Sequence, residues 1–213
     1  MNTATRPGNS ERDPRATLSL ADYRRQVAEL YVEVRGFEPA HAHELWKKGR
    51  DSLFATHPQS PIPADLRGEF PGLPVFDYDP ALRFECTVDP AEPLTLGLPH
   101  SGDGTTPASA FGNVSFTIDE TPVSLTLFWL DEYGGGIFLP FRDLTNGSET
   151  YGGGRYLLDG AKGADLGSGA DSITLDFNFA YHPSCVWDDR WSCPLAPPGN
   201  HLDLEVLAGE RLA

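Results

Sequence analysis

The sequence has few basic residues for its length. Its 16 Lys and Arg stand against 31 Asp and Glu, which gives a formal net charge of −15. Because binding to nucleic acid or to an anionic membrane surface needs clustered basic side chains, this shortage argues against both partners. The acidic balance identifies no partner and mainly promotes solubility. An anionic ligand would therefore need a local positive feature such as Arg155.

Long apolar runs and cysteines are also scarce. No stretch approaches the length of a transmembrane span, and residues 1–17 are polar, without the apolar segment of a secretory signal. The chain has three cysteines. We therefore expect a cytoplasmic protein whose thiols are mostly reduced.

Three familiar catalytic or nucleotide-binding motifs are missing. The glycine run Gly152–Gly154 is followed by neither GK[ST] nor the GxGxxG pattern with its helix, so it is not a known nucleotide loop. Gly167-Ser168-Gly169 lacks the spacing and the preceding strand of a serine hydrolase elbow.

What the sequence does have is turn residues and aromatics. Its 19 Pro and 22 Gly predict many turns and few long helices, and 12 Phe, 7 Tyr and 4 Trp are enough for a folded core. We predict one mainly β domain, an antiparallel barrel or sandwich, with a helical cap at its N-terminus.

The chain divides into three predicted parts. Residues 1–17 are predicted as a disordered tail, residues 18–56 as the helical cap and residues 57–213 as the β-domain that carries the candidate site. Helical spacing predicts one helix that begins at Ser19 and a second from Pro39 to Ala55. Strands are predicted at 73–76, 82–88, 114–118, 123–130, 137–140, 155–158, 173–177 and 202–207, including a meander of at least three antiparallel strands.

Polar side chains are most frequent around the glycine run, in the sequence TNGSETYGGGRY. Consecutive glycines let backbone amides approach a ligand, and Arg155 then offers a rigid fork of donors to a carboxylate or phosphate. The alternative is structural: Arg155 pairs with Asp143 or Glu149 inside the protein, and the glycines only bend the sheet.

Acidic residues near this segment offer a second, enzymatic interpretation. In it, Glu149 or Asp176 acts as general base and Arg155 as electrostatic stabiliser of a hydrolase or lyase. Asp143 taken alone is better explained as a turn residue, because Asp-Leu-Thr-Asn-Gly is good turn chemistry. Strand alternation would place Asp176 and Asn178 on one face, looking into a cavity or a hydrogen-bond network.

Two cysteines and two histidines near the C-terminus invite a zinc interpretation. The spacing H-x2-C-x7-C-x7-H over His182, Cys185, Cys193 and His201 is not a usual structural zinc pattern, so we assign no metal. A Cys185–Cys193 disulfide is sterically possible, but the expected compartment argues against it. Two small buried thiols beneath tryptophans are the favoured interpretation. The sequence identifies no cofactor.

Several long strings resemble a known family. TYGGGRYL, LDFNFAY, the Pro-Ser-Cys turn, WSCPLAPPGN and the closing AGE resemble the bacterial and archaeal proteins grouped as domain of unknown function family 1684. The resemblance extends over nearly all of residues 45–210, including Trp46 and Arg50-Asp51. In that family Asn stands where this chain has His182 and Arg where it has His201, so the two imidazoles are local substitutions.

The resemblance implies no activity, but it implies that one constellation of polar positions is shared. Those positions are Asp143, Thr150, Tyr151, Gly153, Arg155, Tyr156, Asp176, Asn178, Tyr181, Cys185, Cys193, Pro194, Asn200 and Glu210.

The leading functional prediction is a protein that binds a small anionic ligand in a pocket of the β-domain. In it Arg155 is the anchor, and Tyr151, Asn178 and Tyr181 orient the ligand. The predicted ligand-binding residues are Asp143, Thr150, Tyr151, Gly153, Arg155, Tyr156, Asn178, Tyr181, Cys185 and Asn200. A non-catalytic protein that acts through a partner surface is the third possibility.

Overall fold

The computed structural model describes residues 13–213, which begin with two helices. Helix α1 spans Pro14–Val34 and helix α2 spans Pro39–Thr56. The Asp13 carboxylate accepts the Arg15 N–H at 3.0 Å and so caps α1. The predicted start at Ser19 is therefore wrong, whereas the bounds predicted for α2 are confirmed to within a residue. Residues 1–12 of the predicted tail lie outside the described part.

The rest of the chain is mainly β, as predicted, and forms two antiparallel sheets. A five-stranded sheet has the order β2-β3-β4-β5-β6, and a two-stranded sheet pairs β1 with β7. Their bounds are β1 Arg83–Thr87, β2 Asp89–Pro99, β3 Thr105–Ile118, β4 Thr121–Leu130, β5 Ile137–Phe141, β6 Arg155–Asp159 and β7 Ser172–Asp176. Neither sheet closes into a barrel over residues 13–213. The predicted meander is confirmed by the consecutive pairing of β3, β4 and β5.

Strand β2 was not predicted, because its three prolines (Pro90, Pro93 and Pro99) indicate a loop. The strand lies at the edge of the five-stranded sheet, and its pairing with β3 is interrupted between Pro90 and Leu94. Edge strands and bulges are the places where a sheet tolerates proline, since a ladder hydrogen bond is not lost there.

Two predicted strands are wrong. Residues 73–76 make only an isolated bridge, between Val75 and Glu210, and residues 202–207 form no strand. The C-terminal segment instead follows the sheet irregularly: the Arg142 amide donates to Asn200 O, and the Leu144 amide donates to Leu204 O. Other carbonyls of the segment, those of Val206 and Ala208, are held by the Arg155 side chain instead.

The five-stranded sheet is buried on both faces along β5 and β6, whereas its edge strand β2 is mostly exposed. Leu127 and Leu139 belong to a core shared with β1, β7 and the C-terminal segment. Their neighbours Phe128 and Phe138 belong to a second core, which the two helices cover with residues such as the fully buried Trp46. The helices thus form an outer layer over the sheet. Within the described residues, no helix is long and apolar enough to cross a membrane.

Candidate functional site

Arg155, the predicted anchor, begins strand β6 and is completely enclosed. Its Nη2 donates to Asp143 Oδ2 at 2.7 Å and to the Val206 carbonyl at 2.8 Å. Its Nη1 donates to the carbonyls of Ala208 and Glu210. The Nε atom has no partner among the described residues, yet it too is sealed from solvent. This arrangement matches the structural alternative, because no face of the guanidinium is open to a ligand.

Asp143 has the turn role that its local sequence indicates. Its Oδ1 accepts the Thr145 amide at 2.7 Å and also the Thr145 hydroxyl, while Oδ2 receives Arg155. Thr145 Oγ1 lies 2.7 Å from Thr150 Oγ1, so the predicted residue Thr150 belongs to the same buried network. Glu149, in contrast, has an exposed side chain. Within the described chain no ion pair joins Glu149 to Arg155.

The three glycines determine where neighbouring side chains lie, and they do not form an open loop for a ligand. A Cβ on Gly153 would lie 2.4 Å from the Tyr151 ring, so its absence lets that ring lie against the backbone. Gly154 has φ +94°, and a Cβ there would meet the Phe141 carbonyl oxygen. Gly152 has open space around it. The run therefore places Tyr151 and directs Arg155 inward.

Asp176 and Asn178 belong to a second, separate network. Strand β7 ends at Asp176 and a short 3-10 helix, Phe177–Phe179, follows. The predicted alternation on one strand face is therefore wrong. Asp176 accepts the amide and the side chain of Asn178 and also pairs with Arg83 at 3.2 Å, although burial raises its pKa. Asn178 exchanges two hydrogen bonds with the backbone of Asp79. Both carboxylate oxygens are thus engaged in structural contacts.

Two further predicted residues fasten the C-terminal segment to the sheet. Asn200 Oδ1 accepts the Thr126 amide, and its Nδ2 donates to the carbonyls of Thr126 and Pro140, all at 2.9 Å. Tyr156 donates its hydroxyl to the Pro194 carbonyl at 2.5 Å. Neither side chain has a polar group to offer a ligand in this arrangement.

Tyr151 and Cys185 lie together at a half-buried surface. Cys185 Sγ is 3.9 Å from the Tyr151 hydroxyl, and Cys193 and Ser101 complete the group. Neither cysteine forms a disulfide, and both are half-buried rather than buried as predicted. The Tyr151 pKa is raised to about 12, first by burial and then by the neighbouring Cys185. Over residues 13–213, no three His, Cys, Asp or Glu side chains are placed to hold a metal ion.

A narrow cleft between the helices and the β-domain brings together polar residues that the sequence did not single out as a site. Its volume is about 330 Å³, part of it open to solvent. Of the predicted residues it contains only Tyr181, whose hydroxyl donates to Asp159 at 3.0 Å. We call it the Arg50 cleft; its lining is Tyr23, Val27, Arg50, Phe54, Lys162, Tyr181, His182 and Ser184.

Arg50 is held at this cleft by an acid from the other end of the chain. Its Nε and Nη2 both donate to Glu210 Oε1, at 2.7 and 2.5 Å. Its guanidinium carbon lies 5.3, 5.1 and 4.5 Å from the ring centres of Trp46, Phe54 and Tyr181. Three aromatic rings and one carboxylate thus fix the guanidinium.

His182 lies beside this pair and is neutral at pH 7. Burial, followed by the charges of Arg155 and Arg50, lowers its pKa to about 3. Its Nε2 accepts the Tyr151 amide at 3.2 Å, so the proton of the neutral ring is on Nδ1. That Nδ1 is buried without a partner among the described residues, and its nearest acid oxygen, on Glu210, is 3.9 Å away.

The structure therefore distributes the predicted residues over separate places instead of one pocket. Arg50 was missed as a site residue because its partner Glu210 is 160 positions away, and neither residue has a local motif. The signal available in the sequence was weak: both belong to the strings that carry the family resemblance.

Comparisons with known proteins identify the same family over most of the chain. Residues 68–211 match the sequence model of a family described as protein of unknown function (DUF1684). The solution NMR structure of an uncharacterized protein from gene locus rrnAC0354 of Haloarcula marismortui is similar, with 42% identity and a TM-score of 0.57. The similarity covers 78% of this chain and 90% of that one. No curated protein matches the chain.

Proposed function

Since the chain belongs to DUF1684, a family of proteins of unknown function, we propose its function from geometry: it binds a small anionic group in the Arg50 cleft. The scaffold is a sandwich-like β-domain covered by the two helices. The proposal keeps the ligand class predicted from the sequence and moves the anchor from Arg155 to Arg50.

The observation that carries this proposal is a surplus of hydrogen-bond donors. Two of the three Arg50 nitrogens donate to one oxygen of Glu210. The third, Nη1, donates to no acceptor among residues 13–213. His182 Nδ1–H lacks an acceptor there too. The acids beside the cleft are already engaged: Glu210 by Arg50, and Asp159 by Lys162 at 2.7 Å.

A surplus of donors favours a ligand that only accepts hydrogen bonds. Carboxylate and phosphate oxygens fit this description, and a guanidinium nitrogen on a rigid support is a good donor to either. The cleft is narrow, about 330 Å³ with the part open to solvent included, so an anionic group of a few atoms is the size that fits.

The test is a titration of the isotopically labelled protein with inorganic phosphate and with acetate, followed by amide NMR shifts. We expect saturable shifts at His182 and Ser184. Arg50→Lys keeps the charge but has one donor nitrogen in place of three, and that nitrogen faces Glu210, so we expect binding to weaken about tenfold, as for loss of one charged hydrogen bond to the ligand.

Arg142 provides the matched control, because it is exposed and lines no part of the cleft. Arg142→Lys should titrate like the wild type. Absence of saturable shifts in the cleft with either anion, or equal binding by Arg50→Lys, would contradict the proposal.

A further inference from the structure

A second concave surface lies between the five-stranded sheet and the segment that leads into β7. It consists of two adjoining depressions, which share Ile137, Ser168 and Ile173 in their lining. Their volumes are about 630 and 740 Å³, open solvent included. Among the described residues, none lines both this surface and the Arg50 cleft. We call it the Trp129 groove; its apolar lining includes Phe111, Leu127, Trp129, Ile137, Leu158 and Ile173.

The strand register explains why apolar side chains face this groove. Trp129 of β4 lies opposite Ile137 of β5, and the adjacent pair, Phe128 and Phe138, belongs to the core beneath the helices. Because neighbouring residues of a strand point to opposite faces, Trp129 and Ile137 point toward the two-stranded sheet. Ile173 of that sheet is buried, whereas Trp129 is 48% exposed. The groove is therefore the uncovered end of the core between the two sheets.

Two backbone features place aromatic side chains at the groove. The pairing of β3 with β4 skips one residue between Ala110 and Gly112, so Phe111 is the extra residue of a β-bulge, and its ring is 40% exposed. Gly135 packs against the Trp129 indole, since a Cβ there would lie 3.0 Å from Nε1. Bulges and close glycine contacts direct side chains to chosen places, and here both direct a large ring toward solvent.

The charge of the groove is negative. Asp165 and Asp171 are the charged residues of its lining. Asp165 is paired, because Arg35 Nη1 lies 3.3 Å from its Oδ1. Asp171 is exposed, and within the part of the chain that the structure describes its carboxylate has neither a hydrogen bond nor an ion pair. Over residues 13–213 the lining thus contains one unpaired negative charge and no positive one.

We propose that the Trp129 groove binds a small organic amine, an apolar body that carries a protonated amine or quaternary ammonium group. The body covers Phe111, Trp129 and Ile137 and so removes their exposed apolar surface from water. The cationic end lies at Asp171, and an indole ring attracts such a cation as well. An anionic amphiphile would bring its charge to an unpaired carboxylate instead. The proposal does not depend on the anion proposed for the Arg50 cleft.

The test compares probes that share one octyl tail: octyltrimethylammonium, octanol and octyl sulfate, each below the concentration at which it forms micelles. The readout is the indole N–H of Trp129 and the amide of Gly169 in NMR spectra of the labelled full-length protein. We expect saturable shifts with octyltrimethylammonium, binding of octanol that is about fivefold weaker, and still weaker binding of octyl sulfate. High salt should reduce the difference between octyltrimethylammonium and octanol.

Two variants separate the apolar contribution from the charged one. Phe111→Ser should weaken the binding of all probes by a similar factor, because it removes apolar surface from the groove. Asp171→Asn should weaken only octyltrimethylammonium, by about two- to threefold. The matched controls are Leu207→Ser and Asp77→Asn, since both residues are exposed and lie outside the groove lining. Both control proteins should bind the probes like the wild type.

The comparison of probes on the wild type is decisive even if a variant fails to fold. Absence of saturable shifts at Trp129 with octyltrimethylammonium would overturn the proposal, and so would equally tight binding of octyl sulfate at that indole. An Asp171→Asn protein that keeps the full preference for the cation would also overturn it. Shifts confined to the Arg50 cleft would overturn it too, without contradicting the function proposed for that cleft.

Discussion

Arg155 Nη2 and Asp143 Oδ2 lie 2.7 Å apart, and neither side chain has any exposed surface. The same guanidinium also holds the carbonyls of Val206 and Ala208. One buried ion pair thus joins the turn after β5, the start of β6 and the irregular C-terminal segment. This explains why an arginine follows the glycine run: it satisfies backbone carbonyls that no strand partner reaches.

The first prediction separates this structural role from an anchor for a ligand. Arg155→Met should lower the free energy of unfolding by about 3–5 kcal/mol, because it leaves the Asp143 carboxylate buried without its counterion. Urea denaturation followed by circular dichroism measures the change.

The double variant Arg155→Met/Asp143→Asn provides the control for that measurement, because the Asn amide oxygen can still accept the Thr145 amide and hydroxyl. Because it removes both charges, it should be more stable than Arg155→Met alone. An Arg155→Met protein with wild-type stability would show that the pair does not hold the fold, and the sequence-based interpretation of Arg155 as a ligand anchor would regain support.

The second prediction compares neighbouring glycines in the run. Gly154→Ala should cost about 2–3 kcal/mol or more, because φ is +94° and the new Cβ would strike the Phe141 carbonyl oxygen. Gly152→Ala should change stability by less than about 0.5 kcal/mol, since nothing lies within 4 Å of its Cβ position. Thermal and urea unfolding of the two variants measure the difference. Similar values for both would contradict the packing described for the run.

How much of the fold the sequence predicts depends on how local its causes are. Helix α2 begins at Pro39 and ends near a run of prolines, and both signals lie in a few adjacent residues. The turn role of Asp143 is equally local. The edge strand β2 was missed because it contains prolines. A strand tolerates proline only at the edge of a sheet, and a short stretch of sequence does not show whether a strand lies at the edge.

The candidate site is harder to predict for the same reason. Arg50 and Glu210 meet across 160 positions, and their pairing follows from how the helices pack on the sheet. The many polar residues near Arg155 correctly indicated buried polar groups. Polar side chains that pair with one another and polar side chains that surround a ligand have the same amino-acid composition, so the sequence does not distinguish them. The sequence likewise gives no sign that the Cys193 amide donates to Ser101, which lies 92 positions away.

The third prediction concerns His182 and the pH dependence of stability. Its pKa is about 3 in the folded protein, against an ordinary value of 6.5. Between these values the unfolded chain binds more protons than the folded one, so the free energy of unfolding falls as the pH falls from 6.5 toward 3. From pH 6.5 to pH 5 this one group should cost about 2 kcal/mol.

The variant His182→Gln isolates this contribution. Its amide oxygen can accept the Tyr151 amide in place of Nε2, and it does not titrate. The buried acids Asp176 and Glu210, whose pKa values burial raises, act in the opposite direction, but they are present in both proteins. Urea unfolding at pH 7.5 and at pH 5 should therefore show a smaller loss for the variant than for the wild type. Parallel losses would mean that His182 is protonated in the folded protein, and its Nδ1–H would then not be the neutral donor on which the Arg50 cleft depends.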